Sequence, residues 1–332
     1  MLENRFKLET ERLKKSWMRY DRATLHDYLV RDVEDPRINV QSILTRHFLI
    51  ERLFGKRFDA LMEQELRFSL VMNWLLGLQK KLIKADQLHA VLDALLAGEK
   101  EIEGLEIPPY ISETFAMLAV PNYMCDLLCW APVETAEAPI PEYLISTFQV
   151  IWSEVLAGEQ SQRISVLEPA CGSANDYRFI KNFGIARLID YTGFDLCEKN
   201  ILNASQMFPD ACFEVGNVLE IEAADGTYDY CFVQDLFEHL SIEAMEAAIA
   251  EICRVTRKAI CAGFFNMHGG ERHIVRPVGN YHWNNLSMIE TKAIFERYAS
   301  SVQVVHIDTF LQLKFRCGAT HNKGAYTLIV SI

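Results

Sequence analysis

The stretch Val166-Leu-Glu-Pro-Ala-Cys-Gly-Ser-Ala-Asn-Asp176 decides the fold. It begins as the apolar end of a strand, passes through a turn of small residues and enters a helix near Asp176. Small side chains in such a turn let a ligand approach the backbone, and the first N–H groups of the helix are available to it. The acidic residue at the strand end, Glu168, suits an ammonium or sulfonium group better than a pyrophosphate. The stretch therefore predicts a ligand site between a strand and a helix.

The residues around and after this turn alternate between short apolar runs and amphipathic helices. Strands are predicted at Ile164–Leu167, Leu188–Phe194, Cys212–Val215, Tyr228–Val233 and Ala259–Phe264, and helices from about Asp176, near Lys199–Met207 and at Ile242–Val255. This alternation is typical of βαβ units. It predicts a Rossmann-like, doubly wound and mostly parallel α/β sheet.

The C-terminal end departs from this alternation. A helix near Ser287–Tyr298 is followed by two strand-like runs, Val302–Ile307 and Tyr326–Val330, and no helix is predicted between them. Neighbouring strands that lack a crossover helix pair antiparallel. We therefore expect the sheet to end in an antiparallel hairpin.

The first 130 residues have a helical pattern. Apolar residues recur at three- and four-residue spacing over 38–53, where Gly55 ends the run, and over 58–78. A third run begins at Asp86, a predicted N-cap, and ends at Gly98. No strand pattern is visible in this region. It is interpreted as a substrate lid or a dimerisation domain, which would allow a homodimer, or as a helical module that only packs on its neighbour.

Three segments follow from these patterns. Residues 1–130 form the helical domain, 131–141 an acidic, proline-rich connector, and 142–332 the domain with the sheet. The last segment opens with a predicted helix from about Glu142 to Leu156.

Composition excludes several classes of protein. The chain has 332 residues, 33 Lys plus Arg against 45 Asp plus Glu, and a net charge of −12. Binding to nucleic acid or to an anionic membrane needs cationic surface, so neither partner is expected. The nine cysteines form no CxxC pair, which indicates reduced thiols and a cytoplasmic location. We expect no signal peptide and no membrane span, because no apolar run approaches about 18 residues.

Further candidate ligand-binding residues follow the next strand ends in order. Asp195 ends the second strand, 23 residues beyond Gly172, and is placed to accept both hydroxyls of a ribose. An unpaired surface carboxylate is the alternative. After the third strand, Asn217 could offer an amide to an adenine edge. The turn after the first strand lacks the GxGxxG pattern of a dinucleotide site, since Ala170 and Asn175 stand where glycines would.

These pieces together resemble a class I S-adenosylmethionine-dependent methyltransferase of the small-molecule type, over roughly residues 142–332. Val166–Asn175 is similar to the first motif of that family, apart from alanine at 170 and 174 where glycine is common, and Gln234–Leu240 is similar to its segment after the fourth strand. The resemblance implies S-adenosylmethionine as cofactor. The residues that it places at the cofactor are Glu168, Ala170, Gly172, Asp195, Leu196, Asn217, Val218, Gln234 and Asp235.

The stretch after the fifth strand, from Phe264 to Trp283, is the candidate acceptor site. Polar and aromatic groups on a loop at this edge of the sheet are suited to binding a substrate. The candidate substrate-binding residues are His268, Arg272, His273, Arg276, Tyr281 and Trp283. The two arginines could hold a carboxylate or phosphate; a solvated surface loop is the alternative. Two histidines without thiols or a carboxylate cluster make a poor metal site, and no metal is expected.

Two histidines are candidate general bases, because histidine titrates in the range that proton removal needs. They are His239 and His282. Packing or helix capping is the alternative role for His239. The sequence thus predicts methyl transfer to an oxygen or nitrogen atom of a small molecule. A protein methyltransferase, an NAD-dependent oxidoreductase and a non-catalytic cofactor-binding scaffold stay open as alternatives.

Overall fold

A computed structural model describes residues 38–80, 85–102, 104–118, 163–279, 281–318 and 322–332. The predicted connector at 131–141 and the predicted helix from about Glu142 to Leu156 lie outside these ranges. Both therefore stay predictions, as does the boundary between the two predicted domains. Within the described ranges, no helix has the length and apolar character that a membrane span requires.

The described residues between 38 and 118 are mostly helical. Their elements are α1 Val40–Phe54, α2 Asp59–Lys80, α3 Ala85–Ala97, β1 Glu101–Ile102, β2 Leu105–Glu106 and α4 Pro109–Ala116. The three predicted helical runs are confirmed. The side chain of Asn39 caps α1 by accepting from the backbone N–H of Ser42 at 3.0 Å, and Gly55 ends it with a φ of 62°.

Two details of this region differ from the sequence-based expectation. Helix α3 begins at Ala85, so Asp86 lies in its first turn and is not the N-cap. The antiparallel pair β1 and β2 was not expected in a region without a strand pattern. Strands of two residues are too short to show an alternation of apolar and polar side chains.

The part from residue 163 onward contains the sheet. Its elements are β3 Ile164–Pro169, α5 Asn175–Asn182, β4 Ile189–Asp195, α6 Glu198–Met207, β5 Cys212–Val215, β6 Tyr228–Gln234, α7 Ile242–Val255, β7 Thr256–Phe264, β8 Met267–His268, β9 Pro277–Val278, β10 Tyr281–His282, β11 Leu286–Ser287, α8 Met288–Phe295, β12 Ser301–His306, α9 Ile307–Phe315 and β13 Tyr326–Ser331.

Seven strands form one mixed sheet in the order β5-β4-β3-β6-β7-β13-β12. The pairs among β3, β4, β5, β6 and β7 are parallel, and β13 runs antiparallel to both β7 and β12. The predicted parallel sheet with an antiparallel end is confirmed. The chain adds strands on one side of β3 and then returns to its other side with β6. A ligand is expected at such a switch point, beyond the carboxyl ends of the strands.

One element at the C-terminal end was predicted wrongly. Helix α9 lies between β12 and β13, where no helix was expected. Its buried residues Ile307, Leu311 and Phe315 have a spacing of four, which is that of one helix face. The expected antiparallel pairing of the two strands is nevertheless correct.

Helix α1 packs on one face of the sheet, and α7 on the other. Phe48 of α1 meets Tyr230 of β6 edge to face, with ring centroids 5.9 Å apart. The side-chain amide of Gln41 donates to the backbone oxygens of Phe264 at 3.0 Å and Tyr326 at 2.9 Å. Helix α1 is therefore part of the core that the sheet forms.

A buried ion pair joins α1 to α2 next to the end of α5. Arg46 pairs with Glu65, and its guanidinium lies 4.0 Å from the ring centroid of Phe183. Burial would raise the pKa of the Glu65 carboxyl, but the positive charges of Arg46 and His47 lower it to about 2. The carboxylate is thus held in its charged form, and both helices are fixed against the residues that follow α5.

Candidate functional site

The turn between β3 and α5 has an unusual backbone. Ala170, Gly172 and Ala174 have φ values of 55°, 54° and 66°, in the left-handed region that costs a non-glycine residue free energy. The two alanines that depart from the family pattern therefore keep the backbone conformation that glycine favours. The backbone N–H of Cys171 donates to the oxygen of Phe194 at 2.9 Å, which ties the turn to the end of β4.

Asp195 lies at the end of β4 and holds this turn. Its Oδ2 accepts from the backbone N–H of Gly172 at 3.1 Å, and its Oδ1 accepts from the N–H of Cys197 at 2.8 Å and from the amide of Asn200 at 3.2 Å. Burial raises the pKa of Asp195. The predicted ribose acid is thus not an unpaired surface carboxylate. Oδ2, with one donor among the described residues, retains capacity for a hydroxyl group.

A small cleft with a cavity volume of about 20 Å³ opens beside Asp195. It is lined by Ala170, Phe194, Asp195, Leu196, Gly216, Asn217, Val218 and Leu236. This volume is far below the range of about 300–1,000 Å³ for small-molecule sites, so the cleft is a shallow edge against which one part of a larger ligand can lie. A Cβ atom at Gly216 would lie 3.0 Å from the ring of Phe194, which explains glycine at this position. Asn217 accepts from the N–H of Leu219 at 3.0 Å, and this bond fixes its side chain at the rim.

Carboxyl groups concentrate at this edge of the sheet, where Glu168 is buried and Asp176 and Asp195 are half-buried. Tyr191 donates its hydroxyl to Glu168, whose pKa burial raises well above its ordinary value, with Asp176 and Asp195 adding to the shift. Burial also raises the pKa of Asp176 to about 6. A cation placed among these groups would stabilise their charged forms. The site therefore fits a cofactor that carries a sulfonium and an ammonium group.

The two candidates at the end of β6 have different surroundings. The side-chain amide of Gln234 donates to the hydroxyl of Thr45 on α1 at 2.9 Å, so this side chain is directed to the helix. Asp235 has a φ of 52°, and its N–H donates to the oxygen of Gly263 at 3.1 Å. Desolvation by neighbouring atoms of the protein and the nearby Glu238 raise the pKa of Asp235 well above its ordinary value, although the residue is exposed at the surface. Of the two, only Asp235 adds a carboxyl group to those at the strand ends.

The sequence of this part of the fold gives the decisive comparison. Residues 166–259, from β3 into β7, match the family model described as a methyltransferase domain. The chain carries a methyltransferase domain. This match supports an enzyme that transfers methyl groups, and it agrees with the sequence-based prediction of S-adenosylmethionine as the cofactor. The match favours the predicted activity over the oxidoreductase and the non-catalytic scaffold.

Several solved structures are similar to the methyltransferase domain. An S-adenosylmethionine-dependent methyltransferase from Methanosarcina mazei is 12% identical, with 53% of this chain and 96% of that chain covered and a TM-score of 0.41. Magnesium protoporphyrin IX methyltransferase from Synechocystis, with bound S-adenosylmethionine, is 13% identical over 56% of this chain and 78% of that chain, with a TM-score of 0.38. A comparison with curated proteins finds no match.

Four aromatic side chains come together where β6 and β7 end, and we call them the aromatic wall: His239, Phe265, Tyr281 and Trp283. The ring centroid of His239 lies 5.5 Å from that of Phe265, 5.2 Å from that of Trp283 and 6.3 Å from that of Tyr281. Phe265 and Trp283 are 5.1 Å apart. Rings this close contact one another, so a flat ligand cannot enter between them. It can only lie against the wall, where Trp283 is 44% exposed.

The structure excludes helix capping as a role of His239 and leaves packing and base catalysis open. Helix α7 is capped by Ser241, which accepts from the N–H of Ala244 at 3.2 Å, so the alternative capping role of His239 is wrong. Instead, Nδ1 of His239 lies 3.3 Å from the backbone oxygen of His282. Because that oxygen can only accept, Nδ1 donates and the lone pair of the neutral ring is on Nε2. The ring of the second base candidate, His282, has a buried Nδ1 without a partner among the described residues.

The remaining loop candidates divide into two sets. The Nδ1 atoms of His268 and His273 accept from the backbone N–H groups of Gly270 and Ser287, each at 3.0 Å, so these histidines hold the loop together. Arg272 and Arg276 are exposed. No group of three or more histidine, cysteine or acidic side chains suited to a metal ion occurs in the described ranges.

Sequence reasoning did not single out two fully buried polar residues, Glu238 and Asn284. Both connect the loop to the strand ends. Glu238 lies within the Gln234–Leu240 segment that resembles the family, but nothing in the sequence marks it as buried. Asn284 directly follows the last candidate of the loop, Trp283, and carries no signal of its own.

Proposed function

We propose that the protein transfers a methyl group to an oxygen or nitrogen atom of a small-molecule acceptor, with His239 as the general base. The observation that carries this proposal is the placement of His239 in the aromatic wall, three residues after Leu236 of the cofactor cleft. Its ring is oriented by the backbone of His282. The cofactor cleft and a base are thus joined by one short segment of chain.

The chemistry divides between the cofactor and the protein. S-adenosylmethionine supplies, when bound, a methyl group on a positively charged sulfur. The residues around the cleft would hold and orient the cofactor. Asp195 would accept from the ribose, and the carboxyl groups at the strand ends would favour the positive charges of the cofactor. The acceptor lies against the aromatic wall, and Nε2 of His239 takes the proton that its oxygen or nitrogen atom loses as the new bond to carbon forms. In-line displacement depends strongly on such positioning.

The size of the aromatic wall supports a small acceptor. Three of its rings are in mutual contact within 5.5 Å, so the wall offers the area of one or two rings. Arg272 and Arg276 lie on the same loop and are free to orient an anionic part of the acceptor. The acidic charge of the chain is consistent with a cytoplasmic small-molecule enzyme that binds no nucleic acid.

A methyl-transfer screen tests the proposal. The protein is incubated with S-adenosylmethionine labelled in the methyl group and with a panel of small phenols, carboxylic acids and amines. We expect label in at least one class of acceptor, and kcat reduced by about 10²–10⁴ in His239→Ala. His306→Ala is the control, because His306 contacts Thr309, Lys323 and the ring of Tyr326, which are not members of the wall.

Two results would refute this proposal. Binding of S-adenosylhomocysteine without transfer to any member of the panel would reject a small-molecule acceptor of these classes. Wild-type kcat in His239→Ala across about pH 6–9, around the titration range of histidine, would reject its role as base.

A further inference from the structure

We propose that Glu238 is a positioning residue for the methyl acceptor, and that together with Asn284 it fixes the rings of the aromatic wall relative to one another. This inference rests on the proposed function, because it assigns a task to the wall on which the acceptor lies.

Glu238 connects three segments of chain from a buried position. Its side chain is fully buried, and Oε1 accepts from the backbone N–H of Phe265 at 2.8 Å and of Asn266 at 3.2 Å. Its backbone oxygen accepts from the N–H of Asn284 at 2.9 Å. The residues after β6, the turn after β7 and the end of the loop therefore meet at one residue, the turn through its carboxyl group and the loop through its backbone oxygen.

Asn284 completes the connection. It is also fully buried, and its amide nitrogen donates to the oxygen of Leu240 at 2.7 Å. Its side-chain oxygen accepts from the N–H of Arg276 at 3.0 Å, and its backbone oxygen accepts from the amide of Asn266 at 2.8 Å. Buried bonds of this kind are costly to break, because each lost partner leaves a desolvated polar group.

The connected residues are direct neighbours of the wall. His239 follows Glu238, Phe265 donates to it, and Trp283 precedes Asn284. The positions of these three rings are therefore set by hydrogen bonds of the neighbouring backbone or side chain. Small displacements of positioning groups reduce rates strongly, by about 10²-fold for 1 Å. A change at Glu238 should consequently act on the acceptor through the rings, without touching the cofactor cleft.

The protonation of Glu238 makes this arrangement dependent on pH. Its Oε2 is buried and has no hydrogen-bond partner among the described residues. The acidic neighbour that interacts with it is the carboxyl of Asp235, which in turn interacts with Asp176 on α5, and no cationic side chain of the described ranges pairs with Glu238. Burial raises the pKa of Glu238 to about 7. The two N–H groups thus lose a charged acceptor when the pH falls below neutrality, and their bonds weaken.

The test compares Glu238→Gln and Glu238→Ala with Glu251→Gln. Glutamine mimics the protonated acid and keeps one acceptor oxygen. Alanine removes the acceptor for the N–H groups of Phe265 and Asn266. Glu251 is a matched control, because it also accepts a backbone N–H, that of Ile221 at 2.9 Å, but lies on α7 away from the wall. Binding of S-adenosylhomocysteine is measured by calorimetry, and steady-state kinetics use the acceptor that the panel identifies.

We expect Glu238→Ala to lower kcat/KM for the acceptor by about 10- to 100-fold with unchanged affinity for S-adenosylhomocysteine. Glu238→Gln should restore most of this activity and lose its dependence on pH near neutrality. Glu251→Gln should resemble wild type in both measurements. Equal losses of kcat/KM in Glu251→Gln and Glu238→Ala would overturn the proposal. Weaker binding of S-adenosylhomocysteine in Glu238→Ala alone would overturn it as well.

A second measurement needs no acceptor. In NMR spectra of the wild type, the backbone N–H signals of Phe265 and Asn266 should shift with a midpoint near pH 7, the pKa of about 7 of Glu238, and should not titrate in Glu238→Gln. Constant signals in the wild type would refute the role of Glu238 even if Glu238→Ala fails to fold. If instead the signals titrate and no acceptor is methylated, the proposed function fails and the positioning arrangement stands.

Discussion

Replacement of Asp195 should weaken cofactor binding, and three variants separate the reasons. Asp195→Ala removes the acceptor for the ribose and also the bonds to Gly172 and Cys197. Asp195→Asn keeps the shape but places an NH₂ group against one of these two N–H donors. Asn200→Ala removes the donor at 3.2 Å from Oδ1 and the acceptor for the hydroxyl of Ser173 at 3.4 Å, and it leaves Oδ2 unchanged.

The magnitude follows from the charge of the acceptor. A hydrogen bond that involves a charged group contributes about 1.5–3 kcal/mol, which is about 10- to 150-fold in Kd. We expect at least this loss of S-adenosylhomocysteine affinity in Asp195→Ala. Asp195→Asn should bind no better, although it is the smaller change, because a buried donor facing a donor costs free energy as well. Asn200→Ala should lose less than either, since Oδ2 keeps its contact with Gly172.

Isothermal calorimetry with S-adenosylhomocysteine measures the three affinities, and thermal unfolding without ligand shows whether each variant is folded. Wild-type affinity in Asp195→Asn would refute the reasoning, since it would mean that the charged oxygen nearest to Gly172 does not contact the cofactor. A larger loss in Asn200→Ala than in Asp195→Ala would equally contradict it.

Three further variants test other parts of the site. Gly172→Val should abolish binding of S-adenosylhomocysteine. The φ of 54° strains a branched residue, and the valine side chain would fill the open space beside Gly172 that the cofactor is expected to use. Normal binding in calorimetry would remove this turn from the site. His282→Ala should lower kcat less than His239→Ala, because alanine keeps the backbone oxygen that orients His239, and equal losses would make both histidines bases. Glu238→Gln should be more stable than wild type at high pH. In the wild type, the pKa of Glu238 is raised from 4.5 in the unfolded state to about 7 in the native state. The native state therefore keeps a proton that the unfolded state loses. Wild-type stability therefore falls by about 3 kcal/mol as the pH rises through this window. A difference in urea unfolding that does not change between acidic and alkaline buffer would contradict this.

The sheet could be predicted from the sequence because short, mostly apolar runs alternate with amphipathic helices. The strand Cys212–Val215 and the helix Ile242–Val255 have the predicted bounds. Asp195 could be predicted for a similar reason, since the end of a strand fixes the edge at which a side chain lies. Helix α9 was missed because a helix of two turns between strands shows only three apolar residues on its face.

The contacts that join distant segments could not be predicted. Nothing near Gln234 indicates that its amide binds Thr45, 189 residues earlier in the chain. Glu238 and Asn284 pose the same problem, because a polar residue in a loop is normally exposed, and its burial depends on which segments meet there. The pKa of Glu238 follows from that burial and was equally out of reach.

The two bonds of Gln41 have a consequence for how the chain is made. Its amide reaches Tyr326, 285 residues later, and translation at about 5–20 residues per second separates the two by about 15 to 60 s. During this time α1 has emerged, but the strand that completes its binding surface has not been synthesised. Contacts over such a separation also slow folding. The apolar side of α1 is therefore incompletely covered until β13 has been synthesised, and it needs protection from aggregation during that time.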